Sequence, residues 1–150
     1  MMSNAKHKQA GVSMLEVLVA ILVLSLGLLG LGGLQATGLR NSYSAYLRAQ
    51  AAQFAFDMTD RMRANRQAAI AGSYDLAMNA SAPTGTNLPD KDRAEWLALL
   101  GNLPGGDGSI SVSNNGTTRI VVQWNDRRSA TDQTEAATLS TTQLVVDTRI

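Results

Sequence analysis

The sequence predicts an α+β fold: a long N-terminal α-helix, transmembrane in its first half, packed through its second half on a small antiparallel β-sheet. Three observations predict it. Val17 to Leu39 is a run of 23 residues without a charge. No proline precedes Pro83, so nothing interrupts a helix from about Met14 to near Ala69. Beyond Gly105-Gly106, apolar residues alternate with polar ones in short runs separated by turn residues, the signature of antiparallel strands.

Composition narrows the function classes. A length of 150 residues fits one domain. With 13 Lys+Arg against 12 Asp+Glu, the chain is neither a basic nucleic-acid coat nor an acidic tail. There is no cysteine, which excludes disulfides, thiolate metal sites, cysteine nucleophiles and lipoprotein acylation. The single histidine is His7, so a Ser-His-Asp triad or a histidine metal site has no raw material. No catalytic, cofactor-binding or metal-ligating residue is expected.

The N-terminus is the most informative element. Eleven short, mostly polar residues carry Lys6 and Lys8 and end at Gly11. An apolar stretch follows whose one carboxylate is Glu16. Twenty-three uncharged residues make about 34 Å of helix, against a hydrocarbon core of roughly 30 Å. Lysines before the span favour an N-inside orientation. A cleaved secretory signal is one reading, with Ala36-Thr37-Gly38 as its cleavage site, but the apolar run exceeds the usual h-region. A plain single-pass anchor is another, and it leaves Glu16 unexplained, since a carboxylate at the head of a lipid-facing helix is costly.

The next elements follow in order. Leu39, Tyr43, Leu47, Phe54, Met58 and Met62 recur at helical spacing, giving one buried stripe. Gly72 is the expected stop. Gly27, Gly30, Gly32 and Gly33 in the span read either as close helix packing or as local weakness of the helix. Residues 72–90 are a loop rich in Ser, Asn, Pro and Gly. Asp90 or Asp92 then caps a short helix through Leu100, with Asp92 to Glu95 resembling a capping box and Gly101 at its end. Trp96, Leu97, Leu99 and Leu100 supply its buried side. Ile110 and Val112 mark a first strand, Asn115-Gly116 a hairpin turn, and Arg119–Trp124 and Leu139–Val146 two more strands. The connection from Arg127-Arg128 to Glu135 reads as polar and exposed. Three such strands cannot bury a face alone and need the long helix.

Gly11-Val12-Ser13-Met14-Leu15-Glu16 resembles the type IV prepilin motif: a glycine ending a short basic leader, four mostly apolar residues, a glutamate, then a long apolar helix. The resemblance implies cleavage between Gly11 and Val12 by a prepilin peptidase that also methylates the new amine. Val12 stands where the family usually has phenylalanine. The cost of an unpaired charge among packed apolar helices in turn predicts an assembly ion pair made by Glu16. Further along, Asp57-Met58-Thr59-Asp60-Arg61-Met62-Arg63-Ala64-Asn65, Trp96 with Leu103-Pro104-Gly105, and Val121-Val122-Gln123-Trp124 resemble minor pilins of the type IV pilus modification protein (PilV) class.

That resemblance implies a pilin-like organisation: leader 1–11, a long helix 12–71 with 12–38 in the membrane, and a periplasmic head 72–150 that shares its core with 39–71. It implies a non-enzymatic subunit, first in the inner membrane with a cytoplasmic N-terminus and later at the pilus tip. Its partners would be other minor pilins, the major pilin and a tip adhesin, and the processes served would be pilus assembly, twitching motility and adhesion. The absence of cysteine disfavours a shaft-forming role. A minor pseudopilin of type II secretion shares the same features. A DNA-binding minor pilin would need Arg119, Arg127, Arg128 and Arg149 gathered at one end of the sheet; solvated arginines balanced by Asp126, Asp132 and Glu135 are the plainer reading, and no nucleic-acid partner is expected. The cluster Asp90, Asp92 and Glu95 is read as helix capping, not as a metal or acid–base site.

Overall fold

A computed structural model describes residues 13–150. The expected cleavage junction at Gly11 and Val12 lies outside the described residues. The chain divides into two units, Met1–Leu39 and Arg40–Ile150, and helix α1, Met14–Ala64, is 51 residues long and contributes to both.

In the first unit α1 is an apolar rod. Its most apolar 18-residue window has a mean hydropathy of 2.6 and none of that window is buried within the chain, so this helix is long and apolar enough to cross a membrane. Its two hydroxyl side chains are answered locally: Ser25 Oγ donates to the Ile21 carbonyl at 2.7 Å and Thr37 Oγ1 to that of Gly33 at 3.1 Å. Such self-satisfaction is what a hydrocarbon environment requires. The helix runs unbroken through Gly27, Gly30, Gly32 and Gly33, and nothing lies within 4 Å of where their side chains would begin.

In the second unit the helix buries one face: Leu47, Ala51, Phe54, Ala55, Met58, Thr59 and Met62. The stripe starts later than the periodicity suggests, because Leu39 is exposed and Tyr43 only half-buried. The helix also ends earlier, at Ala64. Asn65, with φ −121° and ψ 49°, leaves the helical region, and α2, Arg66–Ile70, follows as one short turn. The Asn65 side chain donates to the Tyr74 hydroxyl at 3.4 Å, an alternative bond of the kind that makes asparagine a poor interior helix residue. Gly72, at φ +79°, ends α2 in the left-handed conformation glycine tolerates.

Helix α3 spans Leu88–Leu100 and is capped by Asn87, whose side-chain oxygen accepts from the Asp90 amide at 2.9 Å. The cap is therefore neither Asp90 nor Asp92, and Asp92 is inside the helix and buried. Gly101 has φ −58°, so it closes the helix without a left-handed turn. Strands β1 (Asp107–Val112), β2 (Thr117–Trp124) and β3 (Thr142–Arg149) form one antiparallel sheet in the order β1-β2-β3. Gly116, at φ +81°, turns the first hairpin. The register sets Ile110 beside Ile120 and Ile120 beside Val146. The third strand is shifted from the sequence expectation, since Leu139–Thr141 is a 3-10 turn. The connection after β2 also holds a second 3-10 turn, Arg127–Ser129, and a short helix, α4, Gln133–Thr138.

One core joins these parts. Ile110, Val112, Ile120, Val122 and Trp124 from the sheet meet Phe54, Met58 and Met62 from α1 and Trp96 and Leu100 from α3 in a single cluster. Trp96 Nε1 donates to the Phe54 carbonyl at 2.9 Å across 42 residues of sequence. Gly108 lets this happen: a Cβ there would fall 2.5 Å from the Trp96 ring. Asp126, expected among the solvated counter-charges, is wholly buried and accepts a hydrogen bond from Ser44 on α1.

Because α1 supplies a third of this core, a chain beginning at Arg40 should fold and unfold cooperatively in a thermal melt followed by circular dichroism. A chain beginning at Gly72 should not. Met58→Ala should cost about 2–5 kcal/mol by urea unfolding, the range for deleting a fully buried side chain.

Candidate functional site

The N-terminal end of α1 is built by Ser13. Its Oγ accepts from the Glu16 amide at 3.2 Å and its carbonyl receives the amides of Glu16 and Val17 at 3.0 and 3.3 Å. Ser13-Met14-Leu15-Glu16 is thus the S-x-x-E pattern of a helix start, a role for this stretch that the spacing from Gly11 had obscured. Glu16 lies in the first turn, where a carboxylate faces the positive end of the helix dipole. It is exposed and, among the described residues, has no ion pair. Around it Met14, Leu15 and Leu18 are exposed as well. The arrangement is a helix start that presents one carboxylate on an otherwise apolar surface.

In the head, Asp92 and Glu95 do something other than capping. Arg61 on α1 reaches Asp57 at 3.0 Å on its own helix, and Asp92 at 3.1 Å and Glu95 at 2.7 Å on α3. The bond to Glu95, with those to Asp92 and Asp57, holds the guanidinium even more firmly charged than usual. Tyr74 donates its hydroxyl to the second Asp92 oxygen at 2.6 Å, so both carboxylate oxygens are engaged. Asp90 pairs separately with Arg93. The cluster clamps α3 to α1. Among the described residues no three His, Cys, Asp or Glu side chains converge as metal ligands.

The four arginines do not gather. Arg119 and Arg149 stand on the outer sheet face near the β1–β2 hairpin, where Arg119 pairs with Asp147 at 2.7 Å. That bond holds Asp147 below the usual carboxylate range. Arg127 and Arg128 lie in the 3-10 turn beyond the other end of β2, about 17 Å of strand from Arg119 at 3.3–3.4 Å per residue. A phosphate-binding patch at one end of the sheet is therefore not formed. A shallow depression of about 400 Å³ on that face is lined by Ser111, Ser113, Thr117, Arg119 and Asp147, and its one carboxylate is already held by Arg119.

Comparison with known families matches residues 6–32 to the prokaryotic N-terminal methylation motif. No curated protein and no solved structure matches the chain. The motif supports a type IV pilin-like protein, pilin or pseudopilin, and suggests a structural subunit rather than an enzyme. It implies processing by a prepilin peptidase and assembly with pilin partners. Together with the apolar helix it fits membrane anchoring.

The Tyr74–Asp92 bond yields a pH signature. Burial first, and then donation to Asp92, push the Tyr74 hydroxyl up to about 12 from 10.0. A raised pKa means stability that is complete below pH 10 and lost as pH climbs toward 12. Two units correspond to about 2–3 kcal/mol. Urea unfolding of the Arg40–Ile150 head between pH 8 and 12 should show this loss, and Tyr74→Phe should flatten it while lowering stability at pH 8 by about 1–3 kcal/mol.

Proposed function

We propose that the chain is a minor pilin that helps prime type IV pilus assembly and sits at or near the pilus tip, supporting twitching motility and adhesion. The observation that carries the reading is the exposed carboxylate of Glu16, four residues beyond the expected new terminus at Val12, at the head of a helix that is then uncharged through Leu39. Removal of residues 1–11 after Gly11 gives Val12 a cationic amine four residues before that carboxylate in the chain. In a bundle of packed apolar helices an unpaired charge is expensive. Pairing Glu16 with the amine of a neighbouring subunit cancels both charges and sets the axial register between subunits. Residues 12–38 then serve as membrane anchor and filament core, with the head in the periplasm. The PilV-like stretches of the head favour a minor subunit alongside other minor pilins and a tip adhesin. The same motif and helix would serve a minor pseudopilin of type II secretion, and a deletion strain separates the two by losing piliation or losing exoprotein release.

Mass spectrometry of the mature protein should find Val12 with a methylated amine. An N-terminus near Thr37 would instead reinstate a secretory signal. The helix start at Ser13 makes the Glu16 variants informative. Glutamine serves a capping box as well as glutamate does, so if capping were the only role of Glu16, Glu16→Gln would assemble normally. The ion pair requires the opposite. Glu16→Ala and Glu16→Gln should both leave leader removal and membrane insertion intact and both lower co-purification with partner pilins about tenfold, the effect of roughly 1.4 kcal/mol. Normal assembly of both variants refutes the pair.

A further inference from the structure

The two edges of the sheet are treated differently. The β1 edge is closed by the fold: Leu76 exchanges both backbone hydrogen bonds with Ile110 at 2.9 Å, and the Asp75 carboxylate accepts from the Val112 amide at 2.8 Å. The β3 edge has no such cover. Ile150 donates to the Gly116 carbonyl, which fixes the even-numbered residues of β3 as those bonded to β2. By the alternation of an antiparallel pair, Gln143, Val145, Asp147 and Arg149 turn their N–H and C=O groups outward.

Three further features mark this edge. All eight residues of β3 stay in register with β2, with no bulge, proline or lysine to blunt the strand. Its inner row, Thr142, Leu144, Val146 and Thr148, is only half-buried, whereas Ile120, Val122 and Trp124 beside it are fully buried. On the outer face Val145 is 49% exposed, and Arg149 has no ion pair among the described residues, while Asp147 is already held by Arg119.

We infer that the β3 edge receives an extended segment of a different protein chain as a fourth antiparallel strand, one whose alternate residues are apolar and which sets an acidic residue against Arg149. Backbone groups give the affinity and the alternating side chains the choice of partner. A second copy of β3 offers Arg149 no acid in a full-length register. Centred on Val145 it leaves Arg149 facing Thr141, centred on Val146 it sets Arg149 against the neutral Gln143 and Val145 against the charged Asp147, and centred on Asp147 it opposes two like charges. Only a register centred on Thr148 pairs Asp147 with Arg149, and it leaves most of the strand unused. The inference is read from the head alone and stands apart from the pilus reading.

The test is amide hydrogen exchange of the full chain in detergent, with and without a synthetic eight-residue peptide that alternates valine with threonine and places glutamate opposite Arg149. The amides of Gln143, Val145, Asp147 and Arg149 should exchange rapidly in the free chain and at least tenfold more slowly with the peptide. A peptide with proline at its centre should protect none of them. Val145→Pro removes only an outward donor, so it should abolish the protection while leaving the thermal midpoint within a few degrees. No protection at millimolar peptide overturns the inference. So does protection in the chain alone, which, if it grows with protein concentration, assigns the edge to a second copy.

Discussion

The packing of the Leu47–Met62 face of α1 against the inner face of the sheet is the contact on which the rest of the head depends. Three strands have too little area to bury a side on their own, and among the described residues there is no disulfide to compensate. The helix fills that need with Phe54, Met58 and Met62, and α3 wedges Trp96 against the same helix through the Phe54 carbonyl. Arg61 then ties the outer flank of the two helices together through Asp92 and Glu95. Each of these devices sits on one short stretch of α1. The same stretch cannot be exchanged freely for another amphipathic helix, because its backbone as well as its side chains is used.

At the other end, the chain sets two demands on the first turn of α1. A helix start wants an acceptor for its free amides and negative charge near its dipole, and Ser13 with Glu16 meets both. A hydrocarbon environment wants no charge at all. Glu16 meets the first demand, and in a hydrocarbon environment it would be at odds with the second. Serine at residue 13 matters to this balance, because it relieves the glutamate of the main capping duty and leaves its side chain free.

Much of this was legible in the residues. The uncharged run and the absence of proline gave away α1, and Asn115-Gly116 marked the hairpin that Gly116 makes. What escaped has physical reasons. Asn65 breaks α1 by means of a bond to Tyr74 that exists only once the loop has folded back. Helix α4 has no apolar stripe, being Gln-Thr-Glu-Ala-Ala-Thr, and is started by Asp132. Asn87 before Leu88-Pro89 did carry a cap signal, asparagine ahead of an early proline, but three nearby carboxylates competed for the role. The burial of Asp126 depends on Ser44, 82 residues away, a pairing that no local pattern reveals. The N-terminal motif, matched over residues 6–32, was readable because its pattern is contiguous: glycine, serine and glutamate within six residues.

The pairing of α1 with β3 has a consequence for how the protein comes into being. The core draws on residues 47–62 at one extreme and on Leu144, Val146 and Ile150 at the other. During synthesis the apolar helix is available to the membrane long before β3 leaves the ribosome. Until then the head is an open chain, with Phe54 and Met58 lacking their cover. Contacts of such long sequence separation are slow to form, and an incomplete sheet with bare apolar side chains is prone to mispair with its neighbours. Maturation of this protein is thus a problem of timing, set by how soon the last strand reaches a helix that was made first.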